Sequence, residues 1–176
     1  MSDDGELIKR LEAGDAAAAE VFVERYYADI LRYCLWHVPS PALAEDAAQE
    51  TFLKFLRYLG RYQHRGRCRA FLYQIARHTC IDMARQRHWQ EAPLEAAPER
   101  AASDPALAEW QAAWQLRQMV AALPEAQREI VLLRFGQDLT LREIAAITDL
   151  PLRTVQSRLR AALKVLKRHY EKGEDV

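Results

Sequence analysis

Two stretches of the chain carry side chains suited to work on a polyanion. In the first, residues 57–89, arginines interleave with Tyr58, Tyr62, Phe71 and Tyr73, and Gly60 and Gly66 allow a bend. Arginine follows phosphates while rings stack on unpaired bases, at about 1–3 kcal/mol per base. Tyr62–Arg69 therefore reads as a surface for single-stranded nucleic acid, whereas Phe71, Leu72 and Ile75 have core spacing and Tyr73 reads as half buried. The second stretch, residues 152–170, holds six Lys/Arg and no acid. At 100° per residue, Leu152, Val155, Leu159, Leu163 and Leu166 share one arc and are expected to be buried. Arg153, Gln156, Ser157, Arg160 and Lys164 share the opposite arc, with donors suited to base edges and phosphates in a major groove.

The elements that must hold these residues are helical. Apolar periodicity predicts helices near 3–13, 16–37, 42–59, 69–88, 107–122, 124–135, 140–147 and 152–170, and no stretch alternates as a strand would. Thr140-Leu-Arg-Glu143 has capping-box spacing, Ile144 and Ile147 face inward, and Thr148–Pro151 is a short break before the basic helix. That pattern is a helix-turn-helix. Helix 42–59 offers Ala48, Phe52, Phe55, Leu56 and Leu59 as a core stripe, with Asp46, Gln49, Glu50 and Lys54 off it. Glu50 and Lys54 have the i,i+4 spacing of an ion pair. Spacing alone makes Asp46 and Glu50 solvated side chains.

Residues 89–106 break the periodicity with three prolines among small and acidic residues, the composition of a flexible linker. The expected fold is all-α: a domain over 1–88, a linker over 89–106, and a helix-turn-helix domain over 107–176.

The formal net charge of zero conceals unequal blocks. Residues 1–53 have 4 basic against 11 acidic side chains, and residues 54–90 have 9 against 1. Residues 91–126 have 2 against 6, and residues 127–176 have 10 against 7. Such segregation suggests two kinds of partner, one of them a polyanion. With 176 residues, half of them apolar, the chain has enough material for a core. The polar opening MSDDGELIKR and the lack of 18 consecutive apolar residues predict neither a secretory signal nor a membrane span. Three cysteines without a CxxC pair fit a reducing cytoplasm. His64, Cys68, His78 and Cys80 match no metal-ligand spacing. Cys68, among arginines, is expected to have a depressed pKa that would suit redox sensing.

The segment AEDAAQETFLKFLRYLGRY, followed by RAFLYQIARHTCIDMARQR, resembles region 2 of bacterial sigma factors. The segment ALPEAQREIVLLRFGQDLTLREIAAITDLPLRTVQSRLRAALKVLK is similar to their region 4. Two such domains with a short linker resemble the extracytoplasmic-function (ECF) group. The resemblance implies that Asp46, Gln49 and Glu50, with Phe52 beside them, dock on the β′ clamp helices of core RNA polymerase. It implies that Arg61, Tyr62, Arg65, Arg67, Arg69, Tyr73, Arg77 and His78 take unpaired bases of the promoter −10 element, one of them flipped into a pocket. Arg153, Thr154, Gln156, Ser157, Arg160 and Lys164 would read the −35 duplex. The β flap and an anti-sigma factor are further implied partners, and the linker would occupy a polymerase channel. The chain departs from the family's usual residues at Phe71, His78, Arg65-Gly66-Arg67-Cys68, Arg160 and Ala161.

The function so implied is that of a non-enzymatic specificity subunit without cofactor, and the sequence has no P-loop. A stand-alone helix-turn-helix regulator of duplex operators is the alternative, disfavoured by the aromatic and basic segment at 42–88. A small helical enzyme or metal protein built on the His and Cys residues is a weaker one.

Overall fold

The computed structural model describes residues 3–61, 68–86 and 117–173. Among them every regular element is helical, and the chain divides into two compact units, residues 1–110 and 111–176. The expected boundaries at 88 and 107 lie outside the described residues.

The first unit contains α1 (Asp3–Glu12), α2 (Ala16–His37), α3 (Pro41–Tyr58), a single 3-10 turn (Leu59–Arg61) and α4 (Cys68–Gln86). Gly14, at φ +80°, makes the left-handed bend between α1 and α2. Asp15 then caps α2, accepting from the backbone N–H of Ala17 and Ala18 at 3.0 and 3.3 Å. The Arg10 guanidinium bonded to Asp15 lowers its carboxyl pKa, and the helix-start amides reinforce that shift. Ser40 caps α3 through Leu43 N–H, and Pro41 fills the first helical position, where its missing N–H removes no internal bond.

Helices α2, α3 and α4 pack against one another, and α1 packs on α2. Ala44, Ala47 and Ala48 are fully buried, small enough for α3 to approach its neighbours closely. Phe22 of α2 stacks on Phe55 of α3 at 4.5 Å between centroids and meets Phe52 edge-on at 6.2 Å. Tyr73 of α4 meets Tyr33 of α2 edge-on at 5.4 Å. Leu56, expected in this core, is 38% exposed: it lies about 80° around the helix from Ala48, beyond the buried arc.

The described part of the second unit opens with helical residues 117–120, followed by α5 (Glu125–Val131), a π-helical turn (Leu132–Gly136), α6 (Leu141–Thr148) and α7 (Leu152–Gly173). Residues 107–116 of the helix expected at 107–122 lie outside the described residues. The helix expected at 124–135 widens after Val131. Ile130–Leu133 are all buried, more than one face of a regular helix can hide, and the wide turn accommodates the run while leaving Phe135 54% exposed. Arg128 donates to the carbonyls of Ala121 and Leu123, both at 3.0 Å, which closes the turn ahead of α5.

The helix-turn-helix is present as α6 and α7. Thr140 and Glu143 form the reciprocal capping box, and Asp149 at φ 54° turns the chain in the left-handed region, its N–H donating to Ala145. Ile144, Ile147 and Val155 are buried between the two helices. Leu163, expected inside, is 42% exposed, and Ala162 is buried instead. Ala162 lies two full turns from Val155 on the same line, whereas Leu163 is rotated about 80° off it.

Cys68 is also corrected. It opens α4 and is 2% exposed, and burial, helped by the charge of Asp4, pushes its thiol up to about 12 rather than down. Cys34 and Cys80 are buried too, and among the described residues no His/Cys/Asp/Glu group could hold a metal.

Two outcomes follow. Thr140→Ala removes one arm of the capping box and is expected to lower unfolding stability of the second unit by about 1 kcal/mol, read as a shift in its denaturant midpoint. Below pH 8, a disulfide reagent is expected to label Cys68 in the folded chain far more slowly than in denaturant. Labelling at the same rate in both would contradict the burial.

Candidate functional site

Three surfaces emerge from this packing. The first is the outer face of α3. With the alanine and phenylalanine stripe turned inward, Asp46, Gln49, Leu53 and Arg57 are exposed, and Glu50 is partly exposed beside them. Asp46, Gln49, Leu53 and Leu56 follow one another at spacings of three, four and three, so they form a single line along the helix. Leu53 is 50% exposed between charged and amide neighbours. It escapes a reading based on core periodicity, although its 3–4 spacing with Asp46 and Gln49 was available in the sequence.

Phe52, expected on this docking face, is instead interior at 5% exposure, so its part is to hold α3 against α2. The expected Glu50–Lys54 pair is absent. Glu50 lies 3.9 Å from Arg57, whereas Lys54 turns toward α4, 3.2 Å from the Thr79 hydroxyl and 3.9 Å from Asp82. Thr79 is buried, so this contact gives Lys54 a partner at the helix interface that the i,i+4 geometry could not offer.

The second surface is an open groove of about 440 Å³ between α3 and α4. Lys54 and Tyr58 line it from α3, and Phe71, Gln74, Ile75, His78 and Asp82 from α4. Tyr58 is half exposed at the rim, and His78 is exposed. Aromatic walls with amide, imidazole, ammonium and carboxylate groups beside them can stack a planar base and hydrogen-bond its edge. Of the expected −10 residues, His78 belongs to this groove. Arg77 is half buried nearby on α4.

Tyr73 does not belong to it. Its ring is fully buried, and burial raises its hydroxyl pKa, with Asp29 adding to the shift. A ring so enclosed packs the core and offers no face to a base. Arg69 lies 3.3 Å from the Asp29 carboxylate, with its guanidinium 5.9 Å from the centre of the Tyr73 ring. That contact fixes the start of α4 to α2, so Arg69 is engaged within the protein. Arg61 closes the 3-10 turn, and Tyr62, Arg65 and Arg67 lie outside the described residues.

The third surface is α7. Arg153, Ser157, Arg160 and Lys164 are exposed within an arc of about 60°. Thr154 and Gln156 are half buried on either side. Arg153 to Lys164 spans about 16 Å of helix axis at 1.5 Å per residue.

Comparison with known proteins agrees with this arrangement. Residues 22–90 match the Sigma-70 region 2 family, and residues 113–166 match Sigma-70, region 4. The chain is 33% identical to the ECF RNA polymerase sigma factor ShbA of Streptomyces griseus, over 92% of this chain and 94% of that protein. Its fold is similar to CnrH, solved with the cytosolic domain of CnrY, at TM-score 0.72 and 19% identity over 94% of this chain and 96% of that one. It is also similar to the sigma factor RpoE of Bartonella quintana, solved with the anti-sigma factor NepR, at TM-score 0.67 and 17% identity over 86% and 96%. The chain belongs to the ECF RNA polymerase sigma factors, non-enzymatic proteins that work with RNA polymerase in promoter-specific transcription initiation.

Proposed function

We propose that the three surfaces divide the work of initiation. The α3 line of Asp46, Gln49 and Leu53, flanked by Glu50, docks on the β′ clamp helices. Acidic groups around an exposed leucine suit a helical partner carrying basic residues beside an apolar position. The groove, with the Tyr62–Arg69 segment that leads into α4, takes unpaired −10 bases, one of them stacked between Tyr58 and Phe71.

The exposed arc of α7 reads the −35 duplex. Its 16 Å length exceeds the major-groove width of about 12 Å. Arg153, Ser157 and Arg160 therefore face base edges, with Thr154 and Gln156 at their sides, while Lys164 reaches a phosphate. Met119, Phe135 and Leu163, the large apolar side chains exposed among the described residues of the second unit, suit the β flap.

One observation carries this reading: a helix-turn-helix with an exposed basic arc and an open groove walled by aromatic side chains occur in the same chain. A regulator that binds only closed operators needs the first and has no use for the second. The B. quintana relative binds an anti-sigma factor, and we infer that such a partner covers the α3 line here. Among the described residues no helix is long and apolar enough to cross a membrane, which is compatible with a cytoplasmic site of action.

Charge reversal and truncation separate the surfaces. Asp46→Arg is expected to weaken binding to bacterial core polymerase at least about tenfold, roughly 1.4 kcal/mol, while leaving −35 duplex binding by the free chain unchanged. Arg160→Ala is expected to do the reverse, costing about 1–3 kcal/mol on a promoter duplex if it pairs with a guanine. Lys164→Ala should lower the salt dependence of that binding by about one phosphate contact. Normal core affinity in the Asp46→Arg protein would falsify the docking assignment.

A further inference from the structure

The groove between α3 and α4 changes character along its length. Phe71, Ile75, His78 and Asp82 follow one another on α4 at spacings of four, three and four, one line running from apolar to charged. Lys54 and Tyr58, one turn apart on α3, line the groove opposite them. Rings stack on bases with little regard to identity, because every base has a π-face. Choice among bases therefore falls to the polar end.

At that end the Lys54 ammonium is held in place. It donates to the Thr79 hydroxyl at 3.2 Å, and Thr79 is buried, so the anchor belongs to the helix interface. Asp82 stands on the open side, its side chain 52% exposed against 27% for Lys54. The two charges lie 3.9 Å apart, beyond hydrogen-bond reach, so they attract without consuming each other's donors and acceptors. An ion pair this exposed adds little to stability. Lys54 also offsets a carboxylate that would otherwise repel a polyanion entering the groove.

An ammonium offers donors only, and an ionised carboxylate offers acceptors only. A base that enters edge-first must therefore turn an acceptor to Lys54 and donors to Asp82. On its Watson–Crick edge guanine sets two adjacent donors, N1–H and the 2-amino group, beside one acceptor, O6. Adenine, cytosine and thymine each present a single donor group on that edge, so none of them can bond the carboxylate twice. We propose that Lys54 and Asp82 are specificity-determining residues and that the groove takes an unpaired guanine, with O6 accepting from Lys54 and the two donors meeting Asp82. The proposal deepens the reading of this groove as a site for unpaired −10 bases and rests on it. Bonds to ionised groups are roughly twice as strong as neutral ones, and a base lacking a donor leaves the carboxylate short of a partner.

The test compares holoenzymes made with the wild-type chain and with Asp82→Asn, each selecting promoters from a random duplex library. Wild-type selection is expected to fix guanine at one non-template position of the −10 element, and the variant to relax that position alone. Core affinity is expected to be the same for both. Replacing that guanine by hypoxanthine, which lacks the 2-amino group, is expected to lower permanganate-detected strand opening about tenfold with the wild-type chain. With Asp82→Asn the same replacement is expected to have little effect. The base analogue alters only the DNA, so its result with the wild-type chain decides the matter if Asp82→Asn destabilises the first unit. Selection without a fixed guanine, the same −10 preference in both proteins, or equal opening of guanine and hypoxanthine promoters overturns the proposal. If one of these occurs while Tyr58→Ala still impairs opening, the groove remains the base site and only selection by Lys54 and Asp82 is wrong. If Tyr58→Ala opens normally as well, the reading of the groove fails and the proposal falls with it.

Discussion

Helix α3 can be approached closely on one side only, and the rest of the first unit follows from that. Ala44, Ala47 and Ala48 present almost no side chain, so α2 and α4 come near enough for Phe22, Phe52 and Phe55 to close the core. Once that face is committed, Asp46, Gln49 and Leu53 have nowhere to go but outward. Lys54 and Tyr58, at the margin of the buried arc, lean toward α4 and become one wall of the groove. The exposed line and the groove are thus two consequences of a single amphipathic helix. A polar residue at Ala47 or Ala48 would disturb both without lying in either.

Much of this was legible in the sequence where local rules decide. The cap at Thr140, the break before Pro151 and the basic arc of α7 are set by neighbours three or four residues away, and they stand where periodicity put them. What was not legible depends on partners distant in the chain. Lys54 forsakes Glu50 because Thr79 and Asp82, 25 or more residues on, offer a half-buried interface. Tyr73 and Arg69 looked like a ring and a cation suited to single-stranded DNA, yet α2 supplies Tyr33 and Asp29 to occupy them. Cys68 follows the same rule: its sequence neighbours are basic, whereas the fold buries the thiol within reach of the Asp4 charge. Core periodicity on α3 takes Leu56 inward and leaves Leu53 without a role. Their spacing with Asp46 and Gln49 marks a surface line.

The unequal charge blocks acquire a physical sense from this placement. The acidic residues of the first 53 include the exposed Asp46 and partly exposed Glu50 of α3, while the basic residues of the last 50 include the exposed arc of α7. A uniformly mixed surface would attract polymerase and DNA without discrimination. The strongly basic stretch 54–90 belongs to the same unit as α3, so opposite charges are set apart by segment and helix face rather than by unit. Zero net charge then reflects a balance between oppositely charged segments.

As an ECF sigma factor, this chain is expected to confer promoter choice on a polymerase that lacks it. The most direct measurement is run-off transcription with purified chain, purified bacterial core polymerase and fragmented genomic DNA, each component omitted in turn. Discrete transcripts are expected only when chain and core are both present, with start sites downstream of shared sequence elements spaced as −35 and −10. Transcripts that are the same with and without the chain, in mixtures where the chain is folded, would contradict it.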